Sequence, residues 1–138
     1  MQIRPFDPQD EAAVIALWQR CGLTTPQNNP GKDIRRKLKV SPGMFLVGLV
    51  EGTIVATVMA GYEGHRGWIN YLAVSPEYQR HGYGRVMMAE AERVLLEAGC
   101  PKVNLQVRST NLGVIEFYRR IGYAVEDRVS MGKRLEKD

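Results

Sequence analysis

The stretch Gln79-Arg80-His81-Gly82-Tyr83-Gly84-Arg85 sets two glycines among two arginines and a histidine, between an apolar run and a run with helical periodicity. A glycine turn that opens a helix is an anion site in outline. The N–H groups of the first turn lack intrahelical acceptors, the helix dipole favours negative charge there, and glycine admits a ligand close to the backbone. On the glycines alone the stretch reads either as a phosphate cradle or as a sharp strand-to-helix turn that needs glycine and holds no ligand. It is not a P-loop, because no G-x-x-x-x-G-K-[ST] string occurs in the chain. Nor does it match the dinucleotide fingerprint G-x-G-x-x-G, since Met87 stands where the third glycine belongs and the preceding strand follows a hairpin.

Tyr118 is the second residue able to do chemistry. It falls in "TNLGVIEFYRRIG", where Val114, Phe117, Tyr118 and Ile121 share one helix face. An inward phenol needs a partner for its hydroxyl, and with an ordinary pKa of about 10 it can donate a proton at neutral pH. Asn111 or Thr110 caps that helix. Cys21 and Cys100 lack CxxC spacing and form no metal-ligand pattern with His65 and His81, so no metal is expected.

The elements that must position these residues are legible in order. "QIRPF" reads as a first strand. Asp7, Pro8 and Asp10 start a helix whose buried stripe is Val14, Leu17, Trp18 and Cys21, and Gly22 ends it. "KDIRRKLK" is a short helix with Ile34 and Leu38 inward. "MFLVGLV" and "TIVATVMAGY" flank Glu51-Gly52 as a hairpin, and "WINYLAV" is the next strand. The helix "GYGRVMMAEAERVLLEAG" comes after it, with Met87, Ala91, Val94, Leu95 and Ala98 on its apolar face. "KVNLQVR" is a strand with Val103, Leu105 and Val107 on one side. "YAVEDRVSMGKRL" is a last strand or a bent pair. This order is α+β: one mixed, mostly antiparallel sheet with helices on both faces.

The 138 residues fit a single domain, and no apolar run reaches the ~20 residues that span a bilayer. The start shows no signal-peptide pattern, so a cytoplasmic location is expected and no membrane partner. The net charge of +4 suits a phosphate-bearing ligand or nucleic acid. The basic "KDIRRKLK" helix lacks interleaved aromatics, so no nucleic acid is expected.

"LAVSPEYQRHGYGRVMM" and, after it, "NLGVIEFYRRIGY" resemble the GNAT family of N-acetyltransferases. The family's acyl-CoA loop, Gln/Arg-x-x-Gly-x-Gly/Ala, is filled by Gln79, Gly82 and Gly84, with Val74, Pro76 and Arg80 in its lead-in. Its later segment is matched by Asn111, Phe117, Tyr118, Arg120, Gly122 and Tyr123. The resemblance covers most of the chain and implies a single GNAT-like domain over 1–138, its sheet splayed between the fourth and fifth strands.

The resemblance also implies acetyl-CoA as co-substrate and direct attack by a primary amine on a small molecule or protein. Leu72, Ala73 and Val74 would offer backbone groups to the pantetheine arm. Gln79, Arg80, His81, Gly82, Tyr83, Gly84 and Arg85 would wrap the pyrophosphate. Asn111 would reach the pantetheine or thioester, and Tyr118 would be the general acid for the CoA thiolate. Relatives that acetylate protein N-termini carry a glutamate where Gln106 stands here, so the base must be found elsewhere. Glu63 is the preferred carboxylate; His65, Tyr71, or a water held by Asn70, Asn104 or Gln106 are alternatives. A homodimer is left open. The rival reading is a non-catalytic CoA-binding sensor or structural relative, which the missing glutamate favours and Tyr118 opposes.

Overall fold

Asp7 starts the first helical turn through a capping box: its side chain accepts from Gln9 N at 2.9 Å, while the Asp10 carboxylate accepts from Asp7 N at 2.9 Å. Pro8–Asp10 form a 3-10 turn that runs into helix α1, Glu11–Arg20. Strand β1, Gln2–Pro5, precedes it. Arg4 grips Asp10 with two charge-assisted hydrogen bonds, Nη1 to Oδ2 at 2.7 Å and Nη2 to Oδ1 at 3.0 Å. The guanidinium holds the Asp10 carboxyl below the usual carboxylate range. Asp10→Asn should therefore cost about 2 kcal/mol in urea unfolding at pH 7. Because the folded pKa is depressed, this stabilisation is complete above the unfolded value of about 4 and disappears as pH falls through the folded one. Wild type and variant should converge in acid.

The computed structural model describes all 138 residues. The chain divides into two units, Met1–Leu105 and Gln106–Asp138. The first holds the sheet. After α1 come helix α2, Pro30–Lys37, and strands β2, Phe45–Val50, β3, Thr53–Tyr62, and β4, Gly67–Val74. Helix α3, Tyr83–Glu97, and the short strand β5, Val103–Leu105, complete the unit. The sheet order is β1-β2-β3-β4-β5; the first three pairings are antiparallel and β4–β5 is parallel. Glu51 and Gly52 close the β2–β3 hairpin with both φ angles positive, 50° and 78°, as a primed two-residue turn requires.

Side-chain alternation divides the core between two faces. On one, Val14, Leu17 and Trp18 of α1 and Ile34 of α2 pack on Phe45, Val47, Met59 and Ala73 of the sheet. On the other lies α3, with Met87, Met88, Ala91 and Leu95 buried. Gly48 and Gly67 face it: an added Cβ at Gly48 would lie 3.0 Å from Met87 Sδ, and one at Gly67 2.7 Å from Cys100 Sγ. Two details of this face differ from expectation. Ala98 is exposed as the helix frays, and Cys100, which comes after the Gly99 turn, is buried in its place.

The second unit contains helix α4, Leu112–Arg120, capped by Asn111, whose side chain accepts from Val114 N at 3.3 Å. Thr110 is not the cap. The expected final strand is absent: 124–138 form neither helix nor strand and are almost wholly exposed. The pattern there misleads, because its apolar residues Val125, Val129 and Met131 bury nothing and so supply no face to hold a strand. The "KVNLQVR" strand is also shorter than its alternation suggests and stops at Leu105.

Candidate active site

Strand β4 breaks its register opposite Val58. Thr57 pairs with Ala73 and Met59 with Asn70, so Tyr71 and Leu72 together face one residue of β3. This is a β-bulge, and Tyr71 within it has φ of 52°, an uncommon conformation for a bulky side chain. Such strain persists only where neighbours enforce it. Here the Tyr71 ring stacks on Trp18 with centroids 3.7 Å apart. Its hydroxyl donates to Asp33 Oδ2 at 2.6 Å, and its carbonyl accepts from Thr57 Oγ1 at 2.9 Å. Thr57 Oγ1 in turn accepts from Trp18 Nε1 at 2.9 Å. Trp18 and Thr57 are fully buried. Two helices and two strands thus pin one backbone irregularity.

The bulge lies where β4 loses its outer neighbour. β4 pairs with β5 only from Gly67 to Ile69, and beyond Ile69 its outer edge has no strand beside it in the sheet. Ser75 N donates to Val55 O at 2.8 Å, which makes the neighbouring Ala56–Val74 pair the non-hydrogen-bonded one across β3–β4. The N–H and C=O of Val74 therefore point to the open edge, while Ala73 is turned toward Thr57. The Val74 carbonyl is already engaged by Cys21 Sγ at 3.3 Å and Gln79 Nε2 at 3.1 Å. What Val74 has to offer a ligand is its N–H. Cys21 is spent as a donor, and burial pushes its thiol up, which is the reverse of an activated nucleophile.

The glycine loop begins immediately after this edge. Pro76–Tyr78 make a 3-10 turn, Arg80 takes a left-handed φ of 69°, and Gly82 takes 78° as the residue before α3. An added Cβ at Gly82 would meet nothing within 4 Å, so the glycine serves backbone conformation. No side chain caps α3, and no acidic residue occupies its first turn. The first N–H groups of a four-turn helix are left for an external acceptor. Arg80 and Arg85 are exposed and make no ion pair. His81 Nδ1 lies 2.9 Å from Tyr78 O and 3.1 Å from Gln79 O, so that nitrogen carries a proton. The His81 ring stacks beside Tyr83 at 5.7 Å, which in turn stacks beside Tyr78 at 6.1 Å.

In the second unit Tyr118 is 9% exposed, with edge contacts to Phe117 at 5.1 Å and Tyr123 at 5.6 Å. Burial pushes its pKa up to about 12. The partner expected for its hydroxyl is not found within the protein. Every fully buried polar side-chain atom does have one, so the oxygen of this otherwise buried tyrosine keeps some access to the outside. Gln106 Nε2 donates to Ser130 Oγ at 2.5 Å.

Glu63 sits in the β3–β4 turn. Its Oε1 accepts from His65 N at 2.8 Å and from Arg66 N. These two donors hold its pKa below the usual range, so it is a weaker base than a free carboxylate. No group of three or more His, Cys, Asp or Glu residues is placed to hold a metal ion. No helix is long and apolar enough to cross a membrane.

Sequence reasoning missed the Tyr71 bulge and its Asp33 and Thr57 anchors. No period-two pattern in "WINYLAV" signals it, because the residue types there do not alternate.

Comparison with known proteins agrees with this geometry. The acetyltransferase (GNAT) family model matches residues 12–123. An acetyltransferase of Yersinia pestis is 45% identical over 138 residues, covering 100% of this chain and 98% of that protein. One of Pectobacterium atrosepticum is also 45% identical, with the same coverage. Among solved structures, Ard1 from Thermoplasma volcanium superimposes with a TM-score of 0.79 at 26% identity, covering 91% of this chain and 83% of that one. Chaetomium thermophilum Naa20, in complex with a bisubstrate analogue, gives 0.72 at 27% identity, covering 91% and 72%. With a match over most of its length and full-length relatives at this identity, the chain belongs to the GNAT family and is an acetyltransferase.

Proposed function

We propose that the protein is an acetyl-CoA-dependent N-acetyltransferase in which a primary amine attacks the thioester directly, within a single domain over 1–138. The observation that carries this reading is the pairing, in one segment, of an open strand edge at Val74 with the uncapped start of α3 just after Gly82. An extended pantetheine would lie along the edge as an added strand, at Leu72 to Val74. Its pyrophosphate would meet the first-turn N–H groups, Gln79 to Arg85 and the guanidiniums of Arg80 and Arg85. The Chaetomium relative's complex with a bisubstrate analogue supports a donor and acceptor meeting without a covalent enzyme intermediate.

The Val74 N–H would polarise the thioester carbonyl. Asn111 would use its amide N–H groups on the pantetheine, its oxygen being committed to the helix cap. The tetrahedral intermediate breaks its C–S bond as the sulfur takes the Tyr118 proton, and the proton lost by the acceptor nitrogen restores the phenol. Glu63, whose carboxylate is tied to two backbone donors, fits a turn cap better than the base. A water chain as proton acceptor fits the remaining polar residues better.

The test is a calorimetric titration with acetyl-CoA, then thiol release with a panel of amines. Micromolar binding with turnover supports the proposal. Binding with no turnover of any amine supports the non-catalytic CoA-binding reading instead, and no binding ends both.

A further inference from the structure

Lys37 is the last residue of α2, and its side chain crosses to β3, where Nζ donates to Ala60 O at 2.5 Å. It is half-buried, and burial alone lowers its pKa from the usual lysine value. No carboxylate lies within ion-pairing distance of it. Asp33, four residues earlier, is the natural partner on this helix face. That carboxylate is committed elsewhere, to the Tyr71 hydroxyl at 2.6 Å and to Arg36 at 3.4 Å. A desolvated cation is ordinarily paired. This one has a backbone carbonyl as its partner and no counter-ion.

The sheet sets what surrounds it. Cross-strand partners share a face, so Gly61 with Trp68, and Met59 with Asn70, point to the α2 side. At Gly61 an added Cβ would lie 3.5 Å from Lys37 Nζ, an ordinary contact distance that makes the two neighbours. Trp68 is 40% exposed and Asn70 is exposed. Lys37 thus shares one side of the sheet with the exposed Trp68 and Asn70, next to the Asp33–Tyr71 pair. Ala60 pairs with Ile69, three residues before Leu72 and five before Val74, which puts Lys37 about 15 Å along β4 from the N–H against which the thioester carbonyl would lie.

We propose that this patch binds the anionic end of the acceptor, a carboxylate or a phosphate several bonds removed from the amine that is acetylated, with Lys37 as its counter-ion. The proposal rests on the acetyl-transfer reading above. It makes the acceptor an amphoteric molecule or an acidic peptide segment, in place of a polycationic amine.

The test uses the full chain with four acceptors long enough for that span: decylamine, 1,10-diaminodecane, 10-aminodecanoate and 10-aminodecyl phosphate. Thiol release gives kcat/KM for each. At least one anionic acceptor should exceed decylamine by about tenfold or more; whichever does so separates carboxylate from phosphate. In Lys37→Met, which keeps the apolar stem, that ratio should fall to about one, and Lys37→Arg should restore part of it. An unchanged ratio in Lys37→Met, or a preference for the diamine, overturns the proposal. Thermal shift supplies a readout independent of turnover. 10-Aminodecanoate or inorganic phosphate should raise the melting temperature of the parent but not of Lys37→Met, and no shift in the parent overturns the proposal even if acetyl transfer stands. Absence of turnover with every amine, alongside an anion-dependent shift, would sink the acetyl-transfer reading and leave the anion site. Acetylation of Lys37 itself, seen by mass spectrometry after incubation with acetyl-CoA, would make it an acceptor and also overturn the proposal.

Discussion

Tyr118→Phe should lower kcat for acetyl transfer by roughly 10²- to 10⁴-fold, the range expected when a positioned proton donor is removed. The KM for acetyl-CoA should change little, because the lost hydrogen bond forms to the departing sulfur and not to the bound thioester. Stopped thiol-release assays with the parent and variant at saturating donor would measure this. A variant within about threefold of the parent would leave Tyr118 as a packing residue. Loss of one oxygen from a ring already packed on Phe117 and Tyr123 should leave the fold intact.

The pH behaviour adds a second check. With its pKa pushed up to about 12, Tyr118 is protonated at every physiological pH. A basic limb in the rate profile below about pH 10 must therefore belong to another group. The same shift links to stability with a definite sign. The phenol's folded pKa exceeds its unfolded value of about 10, so its contribution to stability is complete below about pH 10 and is lost as pH rises toward the folded value.

The largest stability effect is expected at Trp18. It is fully buried, donates to Thr57 Oγ1, and stacks on both Tyr71 and Phe45, the latter at 6.1 Å. Trp18→Ala should cost about 3–5 kcal/mol, a large part of the roughly 5–15 kcal/mol that holds a domain of this size together. Urea unfolding would measure it directly. The change also removes the surface that pins Tyr71 in its left-handed conformation, so acetyl-CoA affinity should fall in whatever protein remains folded. Thr57→Val separates the two effects. It preserves shape but leaves the Trp18 N–H without its acceptor, at a cost of about 1–3 kcal/mol. Affinity loss in Thr57→Val beyond what its stability loss explains would show that the hydrogen-bond chain positions the bulge. Equal affinities would confine Trp18 to core packing.

How much of this was legible in the sequence depends on which physics set each feature. The N-cap at Asp7, the α1 stripe, the Glu51-Gly52 hairpin and the start of α4 at one of the two cap candidates, Asn111, are local. Residue type and spacing determine them, and they form where expected. The glycine loop was legible for the same reason, since a left-handed residue at Gly82 must precede α3. Tyr71 was not, because its strain is imposed by residues distant in the chain, Thr57, Asp33 and Trp18. Lys37 likewise looked like one more cation on a solvated helix face. Only the cross-strand placement of Ala60 and Gly61 shows it half-buried and without a counter-ion. The failed final strand makes the opposite point: alternation in 124–138 was present, but no buried face rewarded it.

The short β4–β5 pairing has a consequence for how the protein survives without ligand. A strand whose outer backbone groups meet no neighbouring strand is a template on which another chain can add itself, the first step of edge-to-edge aggregation. Proteins commonly blunt such edges with a bulge that twists the strand out of register for pairing. The Tyr71 bulge sits where β4 leaves β5, between Ile69 and Val74. The distortion that would shape the edge for the proposed acyl donor also makes it a poor seat for a foreign strand. Its buried anchors, Trp18 and Thr57, then protect the edge against foreign strands by holding that distortion in place.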